Sequence, residues 1–277
     1  MHIKTIKLKN KEIILLNKIA DCTFGEVYLC SNEGRNEFYA TKIIGRNYID
    51  HQFNECFQNE MEIIKTLKNP NICRYIDDIE TPNHYYLVME YINGGSLSDC
   101  LSIYQSNNIA SFSEEIVQHI MKQIISAFIY IHSNKIIHRN INLDNIMVHF
   151  DNEKDKKDLN LLKAQIKIMD FSLALKGVSG KTILGSPLTM DPNLLIALAN
   201  HQNKETFYDN KIDIWSIGAV CYEMLTGQTV YEAQSLDDLI KKAHKGSINL
   251  PTNLSSEAYN FLDKMLQFSP SKRLSAV

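Results

Sequence analysis

The sequence predicts a two-lobed α+β fold: a small antiparallel sheet lobe carrying one helix, then a larger and mostly helical lobe. Three observations predict it. β-rich runs are concentrated before residue 92, a glycine pair at Gly94-Gly95 follows them, and the apolar spacing beyond is chiefly helical. At 277 residues the chain exceeds one average domain and suits two lobes around a shared cleft, divided as 1–92 and 93–277.

The elements follow in order. Residues 13–19, 26–30 and 38–44 alternate or are rich in β-branched residues, with turn clusters at Gly25 and Asn32-Glu33-Gly34 between them. Over 52–67 the apolar residues Phe53, Cys56, Phe57, Met61, Ile64 and Leu67 take helical spacing. Asn69-Pro70-Asn71 ends that helix, because proline lacks a donor and disfavours helix before it. An apolar strand over 85–91 runs into Asn93-Gly94-Gly95-Ser96, the hinge between lobes. Ser113 with Glu114 and Glu115 opens a helix reaching His132. Strands at 146–150 and 164–169 are joined by the polar stretch 151–163, which reads as a long mobile loop. Later helices are predicted at 192–199, 212–225, 236–244 and 256–266.

Composition excludes several classes. With 44% hydrophobic residues the chain can bury a real core, and a net charge of −3 gives no footprint for nucleic acid. The six cysteines are scattered without a CxxC pair, which fits free thiols in a reducing compartment. Lysines interrupt residues 1–11, unlike a signal peptide, and no window is apolar enough for a membrane span. The expected location is the cytosol, with the nucleus left open.

Short motifs narrow the function. Tyr39-Ala40-Thr41-Lys42, His138-Arg139-Asn140-Ile141-Asn142-Leu143-Asp144-Asn145, Asp170-Phe171-Ser172 and Asp213-Ile214-Trp215-Ser216-Ile217-Gly218 occur in that order. In order and spacing they resemble the strand lysine, catalytic loop, metal-binding motif and buried helix of eukaryotic serine/threonine protein kinases. The resemblance runs from about Lys11 to Arg273. It implies the bilobal kinase fold with a five-stranded sheet lobe, and it places a final helix beyond the last residue present.

Phosphoryl transfer needs the phosphates held, their charge neutralised and the acceptor hydroxyl aligned. By resemblance, Lys42 pairs with the α/β phosphates of ATP and Glu60, ten residues before Pro70, holds Lys42. Asn145 and Asp170 supply oxygens to Mg²⁺, a hard cation. Val27, Ala40 and Met147 match the adenine sandwich, Met89 the gatekeeper, and Glu90 to Ile92 the hinge backbone. Taken singly, Lys42 reads as a solvated strand lysine, Glu60 as an exposed helix residue, Asp170 and Asn145 as turn formers, and Asp213 as a helix cap.

The departures from the family pattern matter as much. Asn140 stands where active kinases carry the aspartate base, and Asn142 where serine/threonine kinases carry a lysine. A carboxamide has the shape of the carboxylate but cannot accept the proton, and general-base catalysis is worth about 10²–10⁴-fold. Ala20 and Cys22 fill the first two glycine positions of the phosphate loop, leaving Gly25. Ser172 replaces the glycine after Asp170-Phe171. Met190-Asp191-Pro192-Asn193 replaces the usual Ala-Pro-Glu, so Arg273 is under-paired at Asn193, rescued by Asp191, or exposed. Arg139 is kept, with Ser179 and Thr182 as candidate phosphosites opposite it.

Three functional readings follow. One is an ATP-binding pseudokinase that acts on a partner kinase or scaffold. The second is a weakly active kinase with protein substrates, since positioning and metal carry much of this chemistry. The third is an interaction module that needs no nucleotide, favoured by Ala20 and Cys22. Within the family, the stretch 86–97 with Gly185-Ser186-Pro187 resembles the autophagy-initiating group.

Overall fold

Alternating β-branched and aromatic residues build one antiparallel sheet in the first lobe. In this computed structural model, which describes residues 5–8, 12–22, 25–46, 51–199 and 206–275, its elements are β1 (Thr5–Lys7), β2 (Glu12–Cys22), β3 (Gly25–Ser31), β4 (Phe38–Gly45), α1 (His51–Thr66), β5 (Tyr75–Glu80) and β6 (His84–Glu90). The strand order is β1-β2-β3-β4-β6-β5, so the sheet has six strands rather than the expected five. The extra strand arises because Ile6 and Leu8 alternate with lysines: Ile6 pairs with Ile13 and is buried, while Thr5 and Lys7 face outward. On the other side, Phe57, Met61 and Ile64 of α1 pack with Tyr85, Leu87 and Met89 of β6, tying the helix to the sheet.

The second lobe contains α2 (Leu97–Ser106), α3 (Glu114–Ser133), β7 (Ile136–Ile137), β8 (Ile146–His149), α4 (Glu153–Lys157), β9 (Gln165–Ile168), β10 (Leu175–Lys176) and β11 (Ser179–Gly180). It continues with α5 (Pro192–Ala199), β12 (Tyr208–Asp209), α6 (Lys211–Thr226), α7 (Leu236–Lys245) and α8 (Ser256–Met265). Ser113 caps α3 as its position suggests, and the later helices lie where spacing put them. α6 is buried from Ile212 to Cys221 and forms the axis of this lobe. The 151–163 connection is a correction to the loop reading. Asn152 caps α4, a 3₁₀ turn follows at Leu161–Lys163, and Leu161 is buried against the core.

The hinge is fastened rather than loose. The Gly94 N–H donates to Val148 O and the Val148 N–H to Gly95 O, each at 2.8 Å. A Cβ at Gly94 would lie 2.5 Å from Val148 O, and Gly95 has φ +77°, so both glycines are required by this contact. The Asn93 side chain completes it by donating to Phe150 O and accepting from Phe150 N–H, both at 2.9 Å. No disulfide joins the described cysteines, and no described helix is long and apolar enough to cross a membrane.

Candidate active site

The upper wall of the cleft comes from the sheet. Strand pairing sets Val27 opposite Lys42 and Ala40 opposite Met89, while Met147 lies on β8 below. Met89 is buried and Glu90 anchors the end of β6, accepting Arg74 N–H at 2.8 Å and pairing with Lys167 at 3.0 Å. Among the described residues, the backbone N–H and C=O of Ile92 have no hydrogen-bond partner, which leaves a donor and an acceptor at the hinge.

In the phosphate loop, the described residues of β2 and β3 are paired antiparallel. Ala20 pairs with Val27 and Cys22 with Gly25; residues 23 and 24 lie outside the described residues. Ala20, just past an irregularity between Lys18 and Ala20, and Cys22 both sit in strand, which accepts side chains. A Cβ on Gly25 would fall 2.0 Å from Ile43 O. The one retained glycine is demanded by its own sheet, so its survival carries no information about phosphate.

Lys42 on β4 and Glu60 on α1 meet at 2.9 Å with little exposure, 15% and 4% of their side chains. Burial alone would lower the Lys42 ammonium, but Glu60 and Asp170 beside it prevail and hold it above the usual lysine range. These are not the solvated lysine and exposed glutamate of the single-residue readings. Asn59 on the same helix donates to Ala174 O at 2.6 Å, coupling α1 to the segment after Asp170.

Below, Phe171 is fully buried with its ring 4.7 Å from that of His138. Asp170 has φ +64°, a left-handed backbone that aspartate tolerates better than most residues. Its carboxyl is held below the ordinary range: burial opposes this, but Lys42, the Ser172 hydroxyl and His138 together outweigh it. Asp213 does not cap α6, whose preceding residue is Asn210. Its buried carboxylate instead accepts His138 N–H and Arg139 N–H at 2.9 Å each and His132 Nε2–H at 2.8 Å. It fixes the backbone of the loop that presents residues 139–145.

That loop brings the altered positions together. Asn140 Nδ2 donates to Asp170 Oδ2 at 3.1 Å, and Asn142 Nδ2 lies 3.4 Å from Asn140 Oδ1. Asn142 also has a structural task that sequence reading missed. Its Oδ1 accepts Asp144 N–H and Asn145 N–H at 3.0 Å, capping the 3₁₀ turn Leu143–Asn145. Asn145 Nδ2 donates to Asn140 O at 2.9 Å, so its Oδ1 stays available as an acceptor.

The Asp170 carboxylate and Asn145 amide oxygen are donors of the type a hard cation such as Mg²⁺ takes, but each Asp170 oxygen already accepts a side-chain hydrogen bond. Among the described residues no group of three or more His, Cys, Asp or Glu could cage a metal ion on its own.

Two further positions resolve. Arg273 is buried, not exposed, and pairs with Asp191. It also donates to Gln267 O at 2.7 Å, Lys211 O at 3.0 Å and Phe268 O at 3.2 Å, and stacks 5.1 Å from the Trp215 ring. Asn193 does not leave it under-paired. Its N–H and Nδ2 both donate to Asp191 Oδ1, at 2.7 and 3.1 Å, orienting the substitute anion. Arg139 is held by uncharged partners: it donates to Leu173 O, to Tyr208 Oη at 2.8 Å and to Thr182 O at 3.5 Å. Tyr208, unnoticed in the sequence, donates in turn to Thr182 O at 2.6 Å. Ser179 pairs with Asp209 between β11 and β12 and is not among the hydrogen-bond partners of the Arg139 side chain.

Comparison with known proteins agrees with this geometry. The chain is 29% identical over 284 residues to serine/threonine-protein kinase cds1 of Schizosaccharomyces pombe, covering 98% of this chain and 57% of that protein. It is 29% identical over 262 residues to myosin light chain kinase A of Dictyostelium discoideum, covering 91% and 81%. It is 30% identical over 257 residues to SNF1-related protein kinase catalytic subunit alpha KIN12 of Arabidopsis thaliana, covering 91% of this chain and 47% of that one. The chain thus spans little more than half of the first relative and less than half of the third. The protein kinase domain model matches residues 14–277, and with the lobes, Lys42–Glu60 pair and loop described above, the chain belongs to the protein kinase domain family.

Proposed function

We propose that this domain binds ATP but lacks effective phosphoryl transfer, a pseudokinase that works by presenting a nucleotide-stabilised surface to a partner kinase or scaffold in the cytosol. The observation that carries this reading is Asn140. Its side chain lies between Asp170 and Asn142, at the loop position where a base is needed, and offers only a carboxamide. Asn142, instead of supplying a positive charge to the transferring group, caps a turn. By contrast the Lys42–Glu60 pair is formed and buried, which supports nucleotide binding.

A second reading, a weakly active serine/threonine kinase, is favoured by Phe171 packed on His138 with Asp170 beside Lys42. Two measurements separate them. In thermal-shift titration, ATP at about 100 times its dissociation constant adds about 2.7 kcal/mol of stability, and Lys42→Ala removes most of that gain. Transfer of γ-labelled phosphate to generic protein substrates stays near background. No thermal shift at any ATP concentration would defeat both readings and leave a nucleotide-independent interaction module.

A further inference from the structure

Two departures that look unrelated in the sequence act on one carboxylate. Asp170 Oδ1 accepts the Ser172 hydroxyl at 2.6 Å and lies 3.4 Å from Ser172 N–H, while Oδ2 accepts Asn140 Nδ2–H at 3.1 Å. In the family pattern residue 172 is glycine and residue 140 is aspartate. Neither could donate a side-chain hydrogen, so that pattern leaves Asp170 freer to face a metal. Here each oxygen has its own side-chain donor, and Lys42 adds a positive charge nearby.

We propose that Asn140 and Ser172 together replace much of the role of Mg²⁺ at Asp170, so that this domain binds ATP with little dependence on a divalent cation. The inference rests on the nucleotide-binding reading above. Mg²⁺ requires near-octahedral oxygen contacts at about 2.0–2.1 Å and dehydrates reluctantly. To ligate it in that geometry, an Asp170 oxygen must take the ion beside a hydrogen bond it already accepts, so the ion competes with donors whose bonds to a charged acceptor are among the stronger ones. The same donors spread the charge of Asp170, reducing its repulsion of a metal-free triphosphate. Lys42 remains to meet the phosphates. Asn145 Oδ1 is then the main side-chain oxygen left to attract a cation, and it is uncharged.

The test is calorimetric titration of ATP into the intact chain in EDTA and in saturating MgCl₂. Mn²⁺ occupancy of the nucleotide complex is followed in parallel by electron paramagnetic resonance. The wild-type affinities should agree within a few-fold, with weak Mn²⁺ retention. Asn140→Ala with Ser172→Gly removes both donors without adding charge, and should favour the metal complex by about tenfold more, the scale of one lost charged hydrogen bond. Ser172→Ala alone, at a half-exposed position, should move the ratio in the same direction and covers the case where the double variant folds poorly. Wild-type binding that is tenfold or more tighter with Mg²⁺ would overturn this inference and leave nucleotide binding standing. An unchanged ratio in the variants would overturn the role of the donor pair. Absence of binding in both buffers would overturn the nucleotide reading and this inference together.

Discussion

At residues 140 and 193 the chain lacks a carboxylate that the family pattern supplies, and the fold treats the two positions differently. Near residue 193 the missing anion is replaced two residues upstream. Asp191 reaches Arg273, and Asn193 steers it with two hydrogen bonds. At residue 140 the carboxylate in contact is Asp170, which belongs to the nucleotide and metal side of the site. A buried guanidinium without a partner costs folding energy in every molecule, whereas a missing base costs only turnover. Under the proposed pseudokinase reading, the fold keeps an anion where its loss would destabilise the lobe, whereas the base position carries only a carboxamide.

The largest test of that contrast is Asp191→Asn. It leaves Arg273 charged and unpaired in the core, and should destabilise the domain by about 3–5 kcal/mol, lowering the melting temperature on the order of 10 °C. Asn193→Glu alone should give no gain, because Arg273 already has its anion; combined with Asp191→Asn it should recover part of the loss. A stable Asp191→Asn single variant would break the comparison.

Next in size is Asp213→Asn, which removes the charge that organises residues 138 and 139 and should cost about 1.5–3 kcal/mol. The fold holds the Asp213 carboxyl below its ordinary value: burial opposes this, but His132, His138 and the Arg139 N–H outweigh it. A depressed folded value means the stabilisation is complete above the unfolded carboxylate range. It is lost as pH falls from about 4 through the folded value. Acid unfolding curves should therefore be shallower for Asp213→Asn than for the wild type. Equal slopes would show that this carboxylate does not report on the fold.

The smallest effect is expected from Asn142→Ala, about 1 kcal/mol for a lost cap. Differential scanning calorimetry can resolve it. No change would return Asn142 to the status of a merely absent lysine.

Much of this arrangement was legible in the chain before folding. The lobes and the Gly94-Gly95 hinge follow from local periodicity, and the grouping of Lys42, Glu60, Asn145 and Asp170 from the resemblance to the kinase motifs. What escaped depended on distant partners or mixed patterns. β1 is short, and its lysine interrupts the apolar signal because it forms the outer face of the strand. β5 carries Asp77 and Asp78, which break an apolar reading, and it is irregular between Tyr75 and Asp77. α2 had an available signal: Ser96 and Asp99 form a capping box at the spacing expected for one. Tyr208 could not be assigned to Arg139 from sequence, since 69 positions separate them. Gly25 misled in the opposite sense, because the strand that requires it belongs to the fold and not to the ligand.

The central claim is that the chemical defect lies in the loop at Asn140 while the nucleotide site persists. The most direct measurement is transfer of γ-labelled phosphate by the wild type, Asn140→Asp, and Asn140→Asp with Asn142→Lys, at equal nucleotide saturation. The wild type should be near background, Asn140→Asp should gain on the order of 10²–10⁴-fold, and the double variant should exceed the product of its single changes because both act on one transition state. Robust transfer by the wild type, abolished by Asp170→Ala, would contradict the claim. So would a double variant that binds ATP yet stays inert.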